Sequence, residues 1–259
     1  MPTPALQPFL DSTGRIVHHL NTIIVGLSSV EAGTATKPVS LDITWAPKDL
    51  TTSSRQARAF ALRSTLVFLA EEINTYVDRI TRYPGLTRSS DWDSKKKADR
   101  LVAVQRQLKL EDDFLLVGAV LIAHWRNRNV HGQSGARLTE AQRQILIDAK
   151  ETLKTEFKNL DSQRLLDDFD KDSPSLKDTS SLVAMAIRFV KRLDESIPEP
   201  SSAEEVDKWL VALGLKEQLD RVSRVAAAKG KEAVGVETFL RTNCPELLSS
   251  YAFYCGNGA

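Results

Sequence analysis

The chain has 259 residues, 42% of them hydrophobic, so it can bury a core, and a disordered or fibrous polymer does not fit that composition. Lys and Arg total 35 against 34 for Asp and Glu, a net charge of +1, which excludes whole-molecule attraction to nucleic acid or to an acidic membrane surface; polyanion contacts have to come from a local patch. The two cysteines, Cys244 and Cys255, form neither a disulfide framework nor a metal-binding spacing and read as plain thiols.

In chain order, Met1-Pro2-Thr3-Pro4 lacks the basic start and apolar run of a signal peptide, so a cytoplasmic location is the expectation. Helical periodicity runs through most of the remaining chain. A first helix is predicted from Phe9 to Val30, with Ile16, Leu20, Ile23, Ile24 and Leu27 on one side. Residues 32–54 read as a long loop, in which Leu41 to Trp45 alternates like a short extended piece. A second helix is predicted from Arg55 to Arg82 and stops at Tyr83-Pro84-Gly85, where proline cannot continue it and glycine permits the turn.

A third helix is expected from about Asp93 to Leu108. It is locally basic, with Lys95, Lys96, Lys97 and Arg100, which suits either a solvated face or a track for an RNA backbone. The fourth, about Glu111 to Val130, is apolar nearly all round. That pattern marks the centre of a bundle, or a helix that also faces a second chain. Its apolar stretch is about half of what a membrane span needs, so no membrane partner is expected. Gly132 is the expected stop. Thr139 to Gln142 matches a capping box and opens a fifth helix to about Leu160, and a sixth is expected from Thr179 to Leu193. Pro198 to Ser202 is the expected domain boundary, dividing a helical bundle (1–197) from a small helical C-terminal unit (203–259) that opens on a second capping box, Ser202 to Glu205.

The run from His124 to Gly132 is the chemically suggestive segment. It places Arg126, Asn127, Arg128, Asn129 and His131 at the end of the most apolar helix, where unpaired polar groups are costly. Asn127 and His131 are i, i+4 neighbours, whereas Arg126 lies about 140° from His131 on the helical wheel. Either a frayed helix end at Gly132 or a two-fold pairing of chains could bring Arg126 and His131 together. An imidazole can move a proton near neutrality, and a guanidinium can hold a phosphate bidentately. With RNA's own 2′-OH as nucleophile, the pair suits metal-free cleavage, and no histidine–carboxylate cluster suggests a metal.

On these residues the chain resembles the HEPN family, whose signature is Arg, four to six residues, then His, often with a polar residue after the Arg. Arg126-Asn127 followed by three residues and His131 fits its shortest form. The resemblance implies an α-helical bundle, a homodimer, and a metal-independent endoribonuclease without cofactor, acting as a toxin or antiviral effector with an antitoxin or regulatory partner. It assigns Arg126 and His131 the catalytic roles and Asn127 a supporting one; Arg128 beside them is a candidate RNA contact in its own right. Members paired with nucleotidyltransferase antitoxins often carry Tyr two residues after the His, where this chain has Gln133. Two alternatives stay open: a silent bundle that binds RNA or serves assembly, and a helical regulator in which the segment is only a helix end.

Overall fold

The computed structural model describes residues 2–42, 44–132, 134–248 and 250–251. Their regular structure is all helical. α1 spans Leu6–Glu31, α2 Leu50–Ile80, α3 Lys97–Gln107, α4 Phe114–Val130, α5 Glu140–Asp148 and α6 Lys150–Glu156. After these come α7 Ser162–Asp170, α8 Leu176–Glu195, α9 Ala203–Ala212, α10 Lys216–Ala227 and α11 Glu232–Asn243, with 3-10 turns at Trp92–Ser94 and Pro245–Leu247. The chain is an all-α protein, as its periodicity predicts. No helix among the described residues is long and apolar enough to cross a membrane.

Local chemistry accounts for the boundaries. α4 begins at Phe114, later than expected, because the Asp113 carboxylate accepts from the Leu115 and Leu116 amides at 3.0 and 3.1 Å. The Thr139 capping box is present in full: Thr139 Oγ1 accepts from the Gln142 amide, and the Gln142 side chain accepts from the Thr139 amide. At Ser202 only half of the box forms, since Glu205 reaches back to the amide and hydroxyl of Ser201, which hold its carboxyl below the ordinary value. The fifth helix does not run unbroken to Leu160. It turns at Ala149 into α6, then passes through left-handed Lys158 and Asn159 into α7, capped by Asp161. Gly85 takes the turn expected after α2, with φ +89°. Leu41, Asp42, Thr44 and Trp45 lie in no strand; Ile43, like Gln133 and Cys255, is outside the described residues.

The chain divides into two compact units. One comprises Phe9–Asn74 and Glu111–Phe189; the other comprises residues up to Pro8, Thr75–Leu110 and Val190 onward, so α9 to α11 belong with α3.

The first unit has α4 at its centre. From Leu116 to Trp125 every residue except His124 is buried, and each large aliphatic side chain among them contributes about 1.5–3 kcal/mol by leaving water. Gly118 leaves room for the Met185 side chain of α8, whose Cε would lie 2.5 Å from a Cβ there. Trp125 meets Phe169 of α7 edge-on at 5.2 Å, and Phe114 meets Phe157 likewise at 5.8 Å. Burial inside one chain decides between the two readings of α4: it is the centre of a bundle and needs no second copy to cover Leu116 to Trp125. Open apolar surface lies instead on α2, where Phe60 is 74% and Phe68 62% exposed. α1 packs on α2 through Leu20, Ile24, Ala61 and Leu62, and Ser54 Oγ donates to the Leu27 carbonyl at 2.9 Å.

In the second unit, buried Trp92 has the guanidinium groups of Arg88 and Arg100 over its ring, 5.7 and 5.5 Å from the ring centre, and its indole N–H donates to Asp78 at 3.2 Å. Tyr83 stacks on Trp209 of α9 at 4.5 Å. Asp194 near the end of α8 is buried, and its carboxylate accepts from the Thr3 amide at 2.8 Å, the Thr3 hydroxyl, and the Tyr76 hydroxyl at 2.8 Å. Burial, and then the Asp194 charge, push the Tyr76 hydroxyl far above the ordinary tyrosine range.

Candidate functional site

The last turn of α4 assembles Arg126, Asn127 and His131. Arg126 is largely covered, its side chain 18% exposed. Its Nε donates to Glu71 Oε1 of α2 at 2.8 Å, and its Nη1 donates to Asn127 Oδ1 at 3.3 Å. The same Nη1 stands 3.3 Å from His131 Nε2. Because a guanidinium has only donors, a hydrogen bond across this contact takes Nε2 as its acceptor.

A regular helix would keep these two side chains apart. His131 closes one more helical hydrogen bond, its amide donating to the Asn127 carbonyl at 2.9 Å, but its own backbone leaves the helix at φ −122°, ψ 82°. That change swings the ring back over Arg126. Of the two routes open to the sequence, the frayed end therefore achieves the contact within one chain. Gly132 comes next as the expected stop, but without the left-handed conformation that favours glycine at a helix end.

Arg128 takes a different path from the one expected of an RNA contact. Its Nε and Nη2 donate to the Ala136 carbonyl at 3.0 and 2.8 Å, its Nη1 donates to the Phe169 carbonyl at 2.5 Å, and its guanidinium lies 3.8 Å from the centre of the Phe169 ring. It thereby ties the loop after α4 to the end of α7. Burial lowers its pKa below the ordinary arginine value. Asn129 returns to the Trp125 carbonyl, and His124 lies beside Phe169. Beyond Arg128, a cavity of about 450 Å³ is lined by Ser134, Gly135, Ala136, Arg137, Arg143 and Asp170.

The basic residues of the third helix fall in the other unit. Lys95 pairs with Asp91 at 2.5 Å, and Arg100 pairs with Asp78 while donating to the Asp93 carbonyl. Lys96 is exposed, and Lys97 is half-buried at the start of α3. Two of the four groups expected along an RNA track are thus paired with carboxylates of their own unit. Among the described residues, no group of three or more His, Cys, Asp or Glu is placed to hold a metal ion.

Two contributors escaped the sequence. Glu71 stands 55 positions before Arg126, and its only sign was a charge directly after the apolar run Phe68-Leu69-Ala70. The second is α7, whose Phe169 braces both Trp125 and Arg128; an Asp cap ahead of Leu165, Leu166 and Phe169 at helical spacing was its signal. Compared with known proteins, the chain matches no family model, no curated protein and no solved structure.

Proposed function

We propose that this protein is a metal-independent endoribonuclease of HEPN type, serving as a toxin or antiviral defence effector. The observation that carries the proposal is the convergence of Arg126 Nη1 and His131 Nε2 at 3.3 Å, with Asn127 on the same guanidinium. A phosphate arriving at Arg126 draws Nη1 away from the imidazole and bares the Nε2 lone pair. His131 then takes the proton of the 2′-OH as the O2′–P bond forms. The P–O5′ bond breaks, the 5′ oxygen leaves with the proton returned by the imidazolium, and a 2′,3′-cyclic phosphate remains. Arg126 stabilises the charge that builds on the phosphorane oxygens. A two-fold pairing belongs to the same proposal, and Phe60, Phe68 and Val130 are the open apolar groups it would cover.

The test is RNA cleavage by purified protein in EDTA, with DNA as control. Cleavage is expected in chelator, on RNA alone, with cyclic-phosphate ends. Activity that disappears in chelator and returns with magnesium overturns the mechanism.

Glu71 enters the proposal as a positioning residue, because it holds Nε and so aims Nη1. Glu71→Ala is expected to lower kcat about tenfold, the scale of one charge-assisted hydrogen bond at a part-exposed site, with KM changing less. Glu71→Gln, which keeps an acceptor oxygen, should recover part of the loss. Steady-state kinetics on the three proteins checks this, and equal rates in all of them would show that Arg126 needs no orienting partner.

A further inference from the structure

Three guanidinium groups and one carboxylate meet at the cavity beyond α4. Arg128 is fixed by carbonyls, and Arg143 is paired with Asp170. Arg137 is different: it is exposed, and it has no hydrogen-bond or ion-pair partner among the described residues. The lining is otherwise small: Ser134, Gly135 and Ala136. Asp172 also acts on Arg128, but it is paired with Arg63 outside the lining. Arg137 and Arg143 each disfavour the charge on Arg128, a mutual repulsion that an anion between them would relieve.

The cavity is also tied to the site. The Ser134 amide donates to the His131 carbonyl at 2.7 Å, and three residues of chain span at most about 10 Å. We propose that this cavity is a phosphate subsite that receives, through Arg137 and Arg143, a backbone phosphate of the strand whose neighbouring phosphate lies at Arg126 and His131. This assignment rests on the ribonuclease proposal for the source of the phosphate, though not for the anion itself. Arg128, which holds the Ala136 carbonyl, then fixes the spacing between two phosphates of one strand. A rigid pair of phosphate contacts selects a strand that can present both in register.

The experiment uses the full chain carrying His131→Ala, so that RNA survives, with and without a second change at Arg137. Arg137 supports no other group, so Arg137→Ala should not disturb folding. The probes are a fluorescent single-stranded oligoribonucleotide, titrated over a range of salt, and inorganic phosphate, monitored by thermal melting. Arg137→Ala is expected to weaken RNA binding about fivefold and to reduce the salt slope by roughly one, with Arg137→Lys intermediate. It should also remove the stabilisation by phosphate. RNA binding and salt slope that do not change on Arg137→Ala overturn the backbone assignment. If phosphate still protects in an Arg137-dependent way while RNA does not bind, the cavity takes a free small anion, and the strand assignment falls. Indifference to both probes overturns the site altogether. Failure of the ribonuclease proposal shows separately, as intact RNA with the unsubstituted chain.

Discussion

Replacing His131 with alanine is expected to slow RNA cleavage by at least about a hundredfold while leaving the fold in place. The ring is exposed at the C-cap of α4, and among the described residues its only side-chain hydrogen bond is the one from Arg126, so truncation leaves no core void and the stability loss should be about 1 kcal/mol or less. Arg126→Ala should be as damaging to the rate. Arg126→Lys is the more telling variant: one ammonium cannot reach Glu71, Asn127 and His131 in the directions that Nε and Nη1 serve together. His19, exposed on α1, supplies the control. Cleavage rates beside melting curves decide the matter. A folded His131→Ala protein that cuts RNA like the parent would leave the segment as a helix end and remove the ribonuclease proposal.

Asp194→Asn is expected to destabilise the protein by about 3 kcal/mol, with Asp194→Ala at least as severe. The carboxylate accepts three hydrogen bonds in a site closed to water, from the Thr3 amide, the Thr3 hydroxyl and the Tyr76 hydroxyl. A carboxylate accepts on both oxygens, whereas the amide of asparagine turns one of them into a donor facing a donor. Alanine instead removes the acceptor that all three protein groups share. Denaturant titration should show a lower midpoint with an unchanged slope. A loss below about 1 kcal/mol in both variants would mean that water replaces the carboxylate, contrary to the burial seen.

The fold class was legible because α1 and α8 carry their apolar residues at helical spacing, and because Thr139 opens a capping box. Ala149 was not legible: nothing about alanine interrupts a helix, and the bend there answers to packing around Leu146 and Leu153, which are both buried. At the site, the residue types were readable from Arg126, Asn127 and His131 in the chain. Their meeting was not, since it depends on one backbone conformation at His131. Glu71 shows the same limit over a longer distance, because an ion pair across 55 positions exists only once α2 and α4 are packed. Whether α4 is a core helix or also faces a second chain is open in the sequence for a similar reason. An all-apolar helix is equally suited to a dimer face and to a core, and the helices around α4 settle it as core.

Because the contact between Arg126 and His131 is made by the departure of α4 from helical geometry, it depends on the least protected turn of an otherwise buried helix. Opening that turn breaks the hydrogen bond from the His131 amide to the Asn127 carbonyl and two side-chain contacts, while Val120 and Leu121 stay sealed in the core. Local opening of this kind takes far less free energy than global unfolding. On warming, amide exchange at His131 therefore outruns exchange at Leu121, and the constellation dissolves in molecules that are still folded. The temperature at which the site is lost is thus a property of its own short turn, separate from the melting point of the chain.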